Sequence, residues 1–270
     1  GAQAALRLRL TCVALVAICA LCVAYPLAVF GALAFWAVLT LVVAAGLKIA
    51  AFVAAVAAPQ DRRPPPPAGM PLPRVSILVP LFRETEIAHA LVARLARLTY
   101  PKCLLDVILV LEEQDHLTQQ TLATIDLPPW IRPVIVPDGQ PRTKPRAMNY
   151  ALDFCQGEII GIFDAEDAPE ADQITQIARR FQTAPRDVAC LQGVLDYYNP
   201  RQNWLARCFT IEYATWFRIL MPGMARLGLA LPLGGTTLYI RRDVLERLGG
   251  WDAHNVTEDA DLGFRLARHG

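Results

Sequence analysis

The sequence predicts an α/β protein in which a mostly parallel, Rossmann-like sheet, covered by helices on both faces, follows a two-helix transmembrane hairpin. Two observations support this prediction. Residues 10–58 contain one charged side chain, Lys48, and the chain beyond residue 74 alternates short apolar runs with helical ones. Near-continuous apolar runs are typical of parallel strands that are buried on both faces. The mean hydropathy of +0.32 agrees with a chain that lies partly in lipid.

Residues 1–58 are the predicted membrane anchor. Because roughly twenty apolar residues cross a hydrocarbon core as a helix, this run is long enough for two crossings, about Leu8–Ala24 and Ala32–Ala57. Pro26 and Gly31 favour a tight turn between them. A removable signal peptide is the alternative, although its apolar core would be much shorter. Arginines flank both ends of the run, which predicts that both ends lie in the cytosol.

A proline-rich linker over residues 59–73 separates the anchor from a folded domain over 74–270, since consecutive prolines cannot continue a helix. Strands are predicted over Val75–Phe82, Asp106–Leu111, Val134–Val136, Glu158–Phe163 and Val188–Val194. Helices are predicted over Glu86–Leu98, Arg146–Phe154, Asp172–Gln182 and Asp261–Arg268. In such sheets ligands bind at the carboxyl ends of the strands.

Charge and cysteine content exclude two classes of function. The net charge of +1, with arginines scattered singly, provides no basic surface for nucleic acid. Cys19 and Cys22 form a CxxC inside the apolar run, but no second pair completes a four-ligand metal site. We interpret them as cysteines of a membrane helix, and we expect the cysteines of the folded domain to be reduced in the cytosol.

Three acidic clusters follow predicted strands or precede a predicted helix, where an open α/β sheet would bring them together. They are Glu112-Glu113, Asp164-Ala165-Glu166-Asp167 and Thr257-Glu258-Asp259. Asp164, Glu166 and Asp167 could hold a hard divalent cation, Mg²⁺ or Mn²⁺, against a diphosphate. The alternative is an ordinary helix N-terminus, where acidic residues are common.

Two further groups are candidates for binding a phosphorylated donor. Glu112 and Glu113 could hydrogen-bond a nucleobase or ribose, or form a solvated strand end. Lys144, Arg146 and Asn149 open a predicted helix and could meet phosphate oxygens through side chains and helix N-terminal amides. Their alternative is a solvated helix face.

The third acidic cluster suggests proton transfer. Thr257 is a candidate N-cap, and Glu258 and Asp259 are favourable near a helix N-terminus. A carboxylate at this junction, opposite the metal cluster, could also remove a proton from an acceptor hydroxyl. Asp259 is therefore a candidate general base.

Four segments together resemble glycosyltransferase family 2. They are Val75–Pro80, the DAED sequence from Asp164, Gly234-Gly235-Thr236 with Arg241-Arg242, and Thr257-Glu258-Asp259. The resemblance covers Arg74 to Gly270 and is greatest to the bacterial cellulose-synthase-like and β-glucan synthase-like branch. It implies that residues 74–270 form a catalytic domain of the GT-A type, on the cytosolic side of a bacterial inner membrane that the protein crosses more than once.

The resemblance also implies roles for single residues in donor and metal binding. Asp164 matches the aspartate of the donor-diphosphate motif, Glu166 occupies the second position of its DxD, and Asp167 lies beside it. Glu112 and Glu113 fall where the family has aspartates near the nucleobase. At Glu112, Glu113 and Glu166 this chain has glutamate where the family has aspartate, which keeps the charge but moves it outward by one methylene.

Further roles concern the base and the acceptor. Asp259 matches the general base of the family's TED motif. Gln192 resembles a segment beside the acceptor channel, and Gly234, Gly235 and Thr236 resemble the loop under the acceptor's terminal sugar. Strand packing for Gln192 and a plain turn at Gly234-Gly235 are the alternatives.

As a whole, the resemblance implies an inverting, metal-dependent hexosyltransferase. It would move a sugar from a nucleotide-sugar donor, UDP-glucose by default, to a growing β-linked polysaccharide, and further subunits of a synthase complex are possible partners. The alternatives are a non-processive transferase to a lipid carrier and a non-catalytic, membrane-tethered nucleotide-sugar sensor or scaffold. The QxxRW motif of processive members does not occur up to Gly270, so we expect the catalytic domain to be incomplete at its C-terminus.

Overall fold

A six-stranded sheet with helices on both faces follows two N-terminal helices. The structure, a computed structural model, describes residues 2–57, 69–84 and 87–269. The strands are β1 Val75–Leu81, β2 Leu105–Glu112, β3 Ile131–Val136, β4 Ile159–Ile162, β5 Cys190–Gln192 and β6 Leu238–Arg241. The helices are α1 Ala2–Ala24, α2 Pro26–Ala57, α3 Ile87–Ala96, α4 His116–Ala123, α5 Lys144–Leu152, α6 Gln173–Thr183, α7 Trp204–Thr215, α8 Met221–Arg226, α9 Arg242–Arg247 and α10 Glu258–His269.

Helices α1 and α2 are separated by the single residue Tyr25. The N–H of Tyr25 donates to the carbonyl of Leu21 at 2.8 Å, and the N–H of Val29 donates to the carbonyl of Tyr25 at 3.0 Å, so helical hydrogen bonding continues on both sides. Pro26 begins α2, because its fixed φ suits the first helical position, and Gly31 lies inside α2. Helical hydrogen bonding therefore continues through the predicted tight turn, and a two-helix hairpin is not clearly formed by the described residues.

Helix α2 is the one helix of the described residues that is long and apolar enough to cross a membrane, with a mean hydropathy of 2.5 and no buried side chains in its most apolar part. The apolar part of α1, Arg9–Ala24, is shorter. At 1.5 Å per residue the 32 residues of α2 extend about 48 Å, beyond a hydrocarbon core of about 30 Å. A membrane crossing would therefore leave some turns of α2 outside the hydrocarbon core.

The last turns of α2 pack on α8. Ala51 is fully buried, and a Cβ at Gly223 would collide with the backbone carbonyl of Ala51. Arg226 donates from Nη1 to the carbonyl of Ala54 at 3.1 Å and also to that of Ala55. Because the last carbonyls of a helix have no partner within it, Arg226 supplies the cap that α2 lacks. Helix α2 and the sheet domain are thus joined by a specific contact.

The strand order is β3-β2-β1-β4-β6-β5. Strands β1 to β4 are parallel, and β6 is antiparallel to both of its neighbours. The predicted mostly parallel sheet is confirmed. Alternate residues of β1 separate two hydrophobic cores, with Ile77 and Val79 facing α3 and α6, and Leu78 facing α5 and α10.

Most predicted elements occur within three residues of their expected bounds, and three differences matter for the site. Strand β6 and the helices over 204–226 were not predicted. Strand β5 covers only three residues, because it is an edge strand that pairs with β6 alone. Helix α10 begins at Glu258 rather than at Asp261, so Glu258 and Asp259 lie in its first turn instead of before it.

The order of the strands creates a crevice at one edge of the sheet. Strand β1 is followed by β2 on one side, while β4 lies on its other side, so the loops that follow β1 and β4 diverge. Strand β6 runs antiparallel to β4 and therefore begins at this same edge. The loop that precedes β6, residues 234–237, consequently lies beside the acidic loop that follows β4.

Candidate active site

The carboxylate of Asp164, at the carboxyl end of β4, is paired with Lys144. Lys144 Nζ lies 2.6 Å from Asp164 Oδ1 and also donates to the carbonyl of Gly235 at 3.4 Å. Lys144 reaches this position because it begins α5. The two side chains remain 31% and 30% exposed. A ligand in the crevice can therefore contact both members of the pair.

The other two carboxylates of this loop point elsewhere. Asp167 turns inward, and its Oδ2 accepts hydrogen bonds from the N–H of Asp164 at 2.9 Å and from the hydroxyl of Thr236. Burial raises the pKa of Asp167, and the hydrogen bond from Thr236 opposes that rise. Glu166 is exposed. The three carboxylates predicted to bind a metal thus have three different environments.

A preformed metal site is accordingly not found. Among residues 2–57, 69–84 and 87–269, no group of three or more His, Cys, Asp or Glu side chains is arranged to hold a metal ion. The physical reason is that Asp167 is satisfied by internal donors, while Asp164 is neutralised by Lys144. Of the three carboxylates in this loop, Glu166 is exposed and Asp164 is 30% exposed, whereas Asp167 accepts hydrogen bonds from within the protein.

Asp259 lies across the crevice, against the backbone of Gly235. A Cβ at Gly235 would lie 3.3 Å from Asp259 Oδ2. Asp259 Oδ1 accepts a hydrogen bond from the N–H of Ala260 at 2.8 Å. Its negative charge is favourable there, since the N-terminus of α10 carries a partial positive charge.

Glu258 is buried beside the same groups. Burial raises the pKa of Glu258, Lys144 opposes the rise, and the neighbouring carboxylates of Asp259 and Asp164 add to it. Thr257 is exposed, and its hydroxyl donates to Asn255 Oδ1 at 3.0 Å instead of capping α10. Of the predicted TED residues, Glu258 and Asp259 therefore face the Lys144 region, and Thr257 does not.

Gln192 supports the loop that carries Gly235. Its Oε1 accepts a hydrogen bond from the N–H of Gly234 at 2.8 Å, and its Nε2 donates to the carbonyl of Thr236 at 3.0 Å. A Cβ at Gly234 would lie 3.2 Å from Cζ of Phe217. The residues predicted to bind the acceptor thus form one connected unit, in which Gln192 holds the backbone of the loop.

Glu112 and Glu113 lie at the end of β2, as predicted. Glu112 Oε2 is 3.3 Å from Arg146 Nη1, and Glu113 Oε2 accepts a hydrogen bond from the N–H of Asp138 at 2.9 Å. Both carboxylates therefore organise the loops around this edge of the sheet, and a direct contact with a nucleobase stays a prediction.

Asn149 has a structural role that the sequence did not reveal. Its Nδ2 donates to the carbonyl of Trp251 at 2.7 Å, and its Oδ1 accepts from the N–H of Trp251 at 2.9 Å. Both ends of the amide thus tie α5 to the segment that precedes α10. The predicted contact of Asn149 with a donor phosphate stays a prediction, although both groups of its amide are engaged by the backbone of Trp251.

A cavity of about 620 Å³ opens at the carboxyl ends of β1 and β2. Phe82, Arg83, Glu112, Asp115 and Lys144 are among its lining residues. Its volume lies within the range of small-molecule sites, and Lys144 connects it to Asp164. A cavity of about 790 Å³ at the opposite edge of the sheet contains none of the predicted site residues.

The model of the family described as "Glycosyltransferase like family 2" matches residues 73–270. The chain is a member of glycosyltransferase family 2. This family 2 glycosyltransferase is 26% identical over 197 residues to the probable glycosyltransferase YdaM of Bacillus subtilis, covering 72% of this chain and 47% of that protein. It is 29% identical over 198 residues to a beta-monoglucosyldiacylglycerol synthase of Trichormus variabilis, covering 72% of this chain and 41% of that protein.

A plant protein is also similar to this family 2 glycosyltransferase. The probable glucomannan 4-beta-mannosyltransferase 1 of Arabidopsis thaliana is 25% identical over 206 residues, covering 73% of this chain and 37% of that protein. The chain thus spans less than half the length of these curated relatives.

Among solved structures, the mannosyltransferase PcManGT from Pyrobaculum calidifontis, in complex with GDP-Man and Mn²⁺, superposes with a TM-score of 0.57 at 22% identity, covering 85% of this chain and 64% of that one. This likeness confirms the predicted GT-A fold of the family 2 glycosyltransferase.

The sequence prediction missed one group of residues in this glycosyltransferase, the rim of the 620 Å³ cavity. Arg83 has a φ of 56°, which is uncommon for a residue other than glycine. Its N–H donates to Asp115 Oδ2 at 2.6 Å, and the same buried carboxylate accepts from the hydroxyl of Thr118 at 2.6 Å and from the N–H of Thr118 at 3.2 Å. The signal in the sequence was Asp115 with Thr118 three residues later, a typical N-cap pattern.

Proposed function

We propose that this domain transfers a hexose from a nucleotide-sugar donor to an acceptor hydroxyl with inversion at the anomeric carbon. The observation that carries the proposal is the crevice in which Lys144, Asp164, Glu258 and Asp259 surround the backbone of Gly235. A cation beside one carboxylate, opposite a second carboxylate at a helix N-terminus, suits a reaction that separates an anionic leaving group from an acidic proton.

The donor would bind with its nucleoside in the 620 Å³ cavity and its diphosphate beside Lys144. Lys144 supports this placement, because it lines the cavity and also contacts Asp164. A lysine ammonium is a compact charge that suits phosphate oxygens. PcManGT was solved with GDP-Man. For this chain we propose UDP-glucose, which is the default donor that the family resemblance implies.

The exposed carboxylates at this site fit a divalent cation that also binds the diphosphate of the nucleotide sugar. Asp164 is partly exposed and Glu166 is exposed, so these two would supply carboxylate oxygens. Mg²⁺ is commonly held by one or two carboxylates together with substrate phosphates and water. Such a cation, when bound, neutralises charge on the leaving diphosphate. Mg²⁺ and Mn²⁺ are both candidates, and PcManGT was solved with Mn²⁺.

Asp259 would act as the general base. Its Oδ2 faces Gly235 across the crevice from Asp164 and Lys144, so an acceptor hydroxyl between them could give its proton to Asp259 while its oxygen attacks the sugar. Attack opposite the diphosphate would convert an α-linked donor into a β-linked product. Glu258 lies beside Asp259 in the first turn of α10.

We further propose that the domain works at the cytosolic face of a membrane that α2 spans, and that its product is a β-linked polysaccharide. A transferase that glycosylates a lipid acceptor is the second candidate. One specific observation favours this second candidate. Phe217 contacts Gly234, and Phe217 belongs to the helical segment over residues 204–226 that packs on α2. A relative named for a diacylglycerol product and one named for glucomannan represent the two possibilities.

The test is release of nucleoside diphosphate from a panel of nucleotide sugars, with and without Mg²⁺ or Mn²⁺, by the full-length protein in detergent or vesicles. We expect metal-dependent turnover of one donor and loss of at least about a hundredfold in Asp259→Asn, the size typical of a missing acid–base group. Asp261→Asn is the matched control, because Asp261 lies in the same helical turn and pairs with Arg265.

Full activity of Asp259→Asn would refute the role of the base. Turnover of no donor, alongside retained nucleotide-sugar binding, would favour the sensor or scaffold. Extraction of the labelled product into organic solvent would indicate a lipid acceptor, and precipitation in ethanol would indicate a polymer.

A further inference from the structure

Arg94, on the buried side of the acidic loop, contacts that loop from behind. Its Nη2 donates to the carbonyl of Ala165 at 2.7 Å, and its Nη1 donates to the carbonyl of Glu166 at 2.8 Å. The planar guanidinium therefore forms a fork with two consecutive backbone carbonyls. Because a fork fixes orientation as well as distance, this contact defines the path of the backbone between Asp164 and Asp167.

The position of Arg94 is itself well determined. It lies in α3 between Leu91 and Leu95, which are 1% and 0% exposed and belong to the core under β1. Its guanidinium approaches the loop from the α3 side of the sheet. From the other side, Asp164 is held by its N–H, which contacts Asp167 Oδ2 at 2.9 Å and Thr236 Oγ1 at 3.0 Å.

The loop is thus clamped from two sides through its backbone, while two of its carboxylates stay available. Within the loop, the N–H of Asp167 donates to the carbonyl of Asp164 at 3.1 Å, closing a turn. The side chain of Asp164 then faces Lys144, and that of Glu166 is exposed. A change in this turn would redirect both carboxylates at once.

Stability of the core does not by itself account for Arg94. Its Nε is buried and has no hydrogen-bond partner in the described part of the chain. A buried donor without a partner costs free energy. The unpaired Nε therefore lowers the stability of the fold, while the two Nη groups fix the geometry of the loop. The contact also joins residues that are 71 and 72 apart in sequence, which is why no local pattern reveals it.

We propose that Arg94 is a positioning residue that holds the Asp164–Asp167 turn in the conformation that presents Asp164 and Glu166 to the donor diphosphate. The effect of Arg94 on catalysis rests on the proposed function. The effect of Arg94 on the conformation of the loop is independent of the proposed function, so the two effects are measured separately.

The first measurement is amide hydrogen exchange of the full chain in detergent without any substrate. The N–H groups of Asp164 and Asp167 are hydrogen-bonded within the turn, so peptides covering the loop report its opening. In Arg94→Gln we expect these amides to exchange about tenfold faster, since local opening governs exchange. Arg94→Lys keeps the charge but not the fork, and we expect an intermediate rate.

Arg97→Gln is the matched control. Arg97 lies just beyond α3 and is exposed, and no hydrogen bond from its side chain occurs among the described residues. In Arg97→Gln, the amides of the Asp164–Asp167 loop should exchange at the same rate as in the unsubstituted protein. If Arg94→Gln and Arg94→Lys also exchange at the unsubstituted rate, the positioning role is refuted. If Arg94→Gln does not fold, the rate in Arg94→Lys decides the question.

The second measurement is steady-state kinetics with the donor and metal that support turnover. We expect Arg94→Gln to raise the donor KM and the metal concentration for half-maximal rate by about tenfold, because misplaced ligands bind poorly, with partial recovery in Arg94→Lys. Unchanged constants would refute the catalytic consequence. A protein without turnover would refute the proposed function, while hydrogen exchange would still decide whether Arg94 holds the loop.

Discussion

Lys144 Nζ lies 2.6 Å from Asp164 Oδ1, joining the first turn of α5 to the loop after β4. The ion pair keeps a positive charge at the mouth of the 620 Å³ cavity. It also neutralises a carboxylate that would otherwise repel a diphosphate. Both contributions depend on the charge of Lys144, so a neutral substitution removes them together.

Substitution of Lys144 by Met should weaken donor binding. The change removes a charged hydrogen-bond donor, worth about 1.5–3 kcal/mol, so we expect the donor dissociation constant to rise about ten- to hundredfold. Isothermal titration with the nucleoside diphosphate measures it. Lys102→Met is the control, since Lys102 lies over Trp130 at the other edge of the sheet. Equal affinity in Lys144→Met and in the control would contradict the assignment.

Substitution of Gly235 by Ala should lower kcat more than it changes the donor KM. The new Cβ would lie 3.3 Å from Asp259 Oδ2, which is tight enough to displace the carboxylate by a few tenths of an ångström. Since small misplacements of reacting groups are costly, we expect a loss of about tenfold in kcat. Gly46→Ala, in open space on α2, is the control, and a kcat equal to that control would count against Asp259 as the base.

Substitution of Asp115 by Asn should destabilise the fold at neutral pH. Burial alone would raise the pKa of Asp115, but hydrogen bonds from Thr118 and Arg83 outweigh it and hold the pKa below its ordinary value. An amide would face one of these donors with its NH₂ group, which costs about 1–3 kcal/mol. Thermal unfolding in detergent measures the loss.

The pH dependence of the Asp115 effect has a definite sign. A depressed pKa contributes stability above the unfolded value, roughly pH 4, and this contribution is lost as the pH falls through the folded value. The difference between the unsubstituted protein and Asp115→Asn should therefore be constant near neutrality and shrink in acid. The exposed Asp126→Asn is the control. A difference that grew in acid would show that the carboxylate is not stabilised in its charged form.

Substitution of Gly223 by Val should loosen the contact between α2 and α8. The added carbons would collide with the carbonyl of Ala51, and overpacking of this kind costs about 1–3 kcal/mol. We expect a lower unfolding midpoint in detergent, and a smaller decrease in Arg226→Gln, which removes the hydrogen bonds to Ala54 and Ala55. Gly46→Val on the open side of α2 is the control. An unchanged midpoint in both variants would mean that the contact does not contribute.

Local sequence determined the sheet and the places where chemistry collects. The apolar run over β1 is buried along its length, because a strand covered on both faces needs apolar residues at successive positions. Because the strands are apolar along their length, the acidic residues that follow them mark the strand ends. Asp164, Glu112 and Glu113 could be placed in this way. The order of the motifs was also sufficient to predict the family.

Tertiary structure alone decided what those residues touch. Asp167 and Glu166 are neighbours in sequence, yet one is held inward by Thr236 and the other is exposed, because Thr236 arrives from 69 residues away. Asn149 is engaged by Trp251, and the acidic loop is held by Arg94, for the same physical reason. Hydrogen bonds between distant segments depend on chain topology, whereas burial and periodicity depend on neighbouring residues. The sequence by itself therefore determined the elements and the family, and only the tertiary structure decided which carboxylates remain free for a ligand.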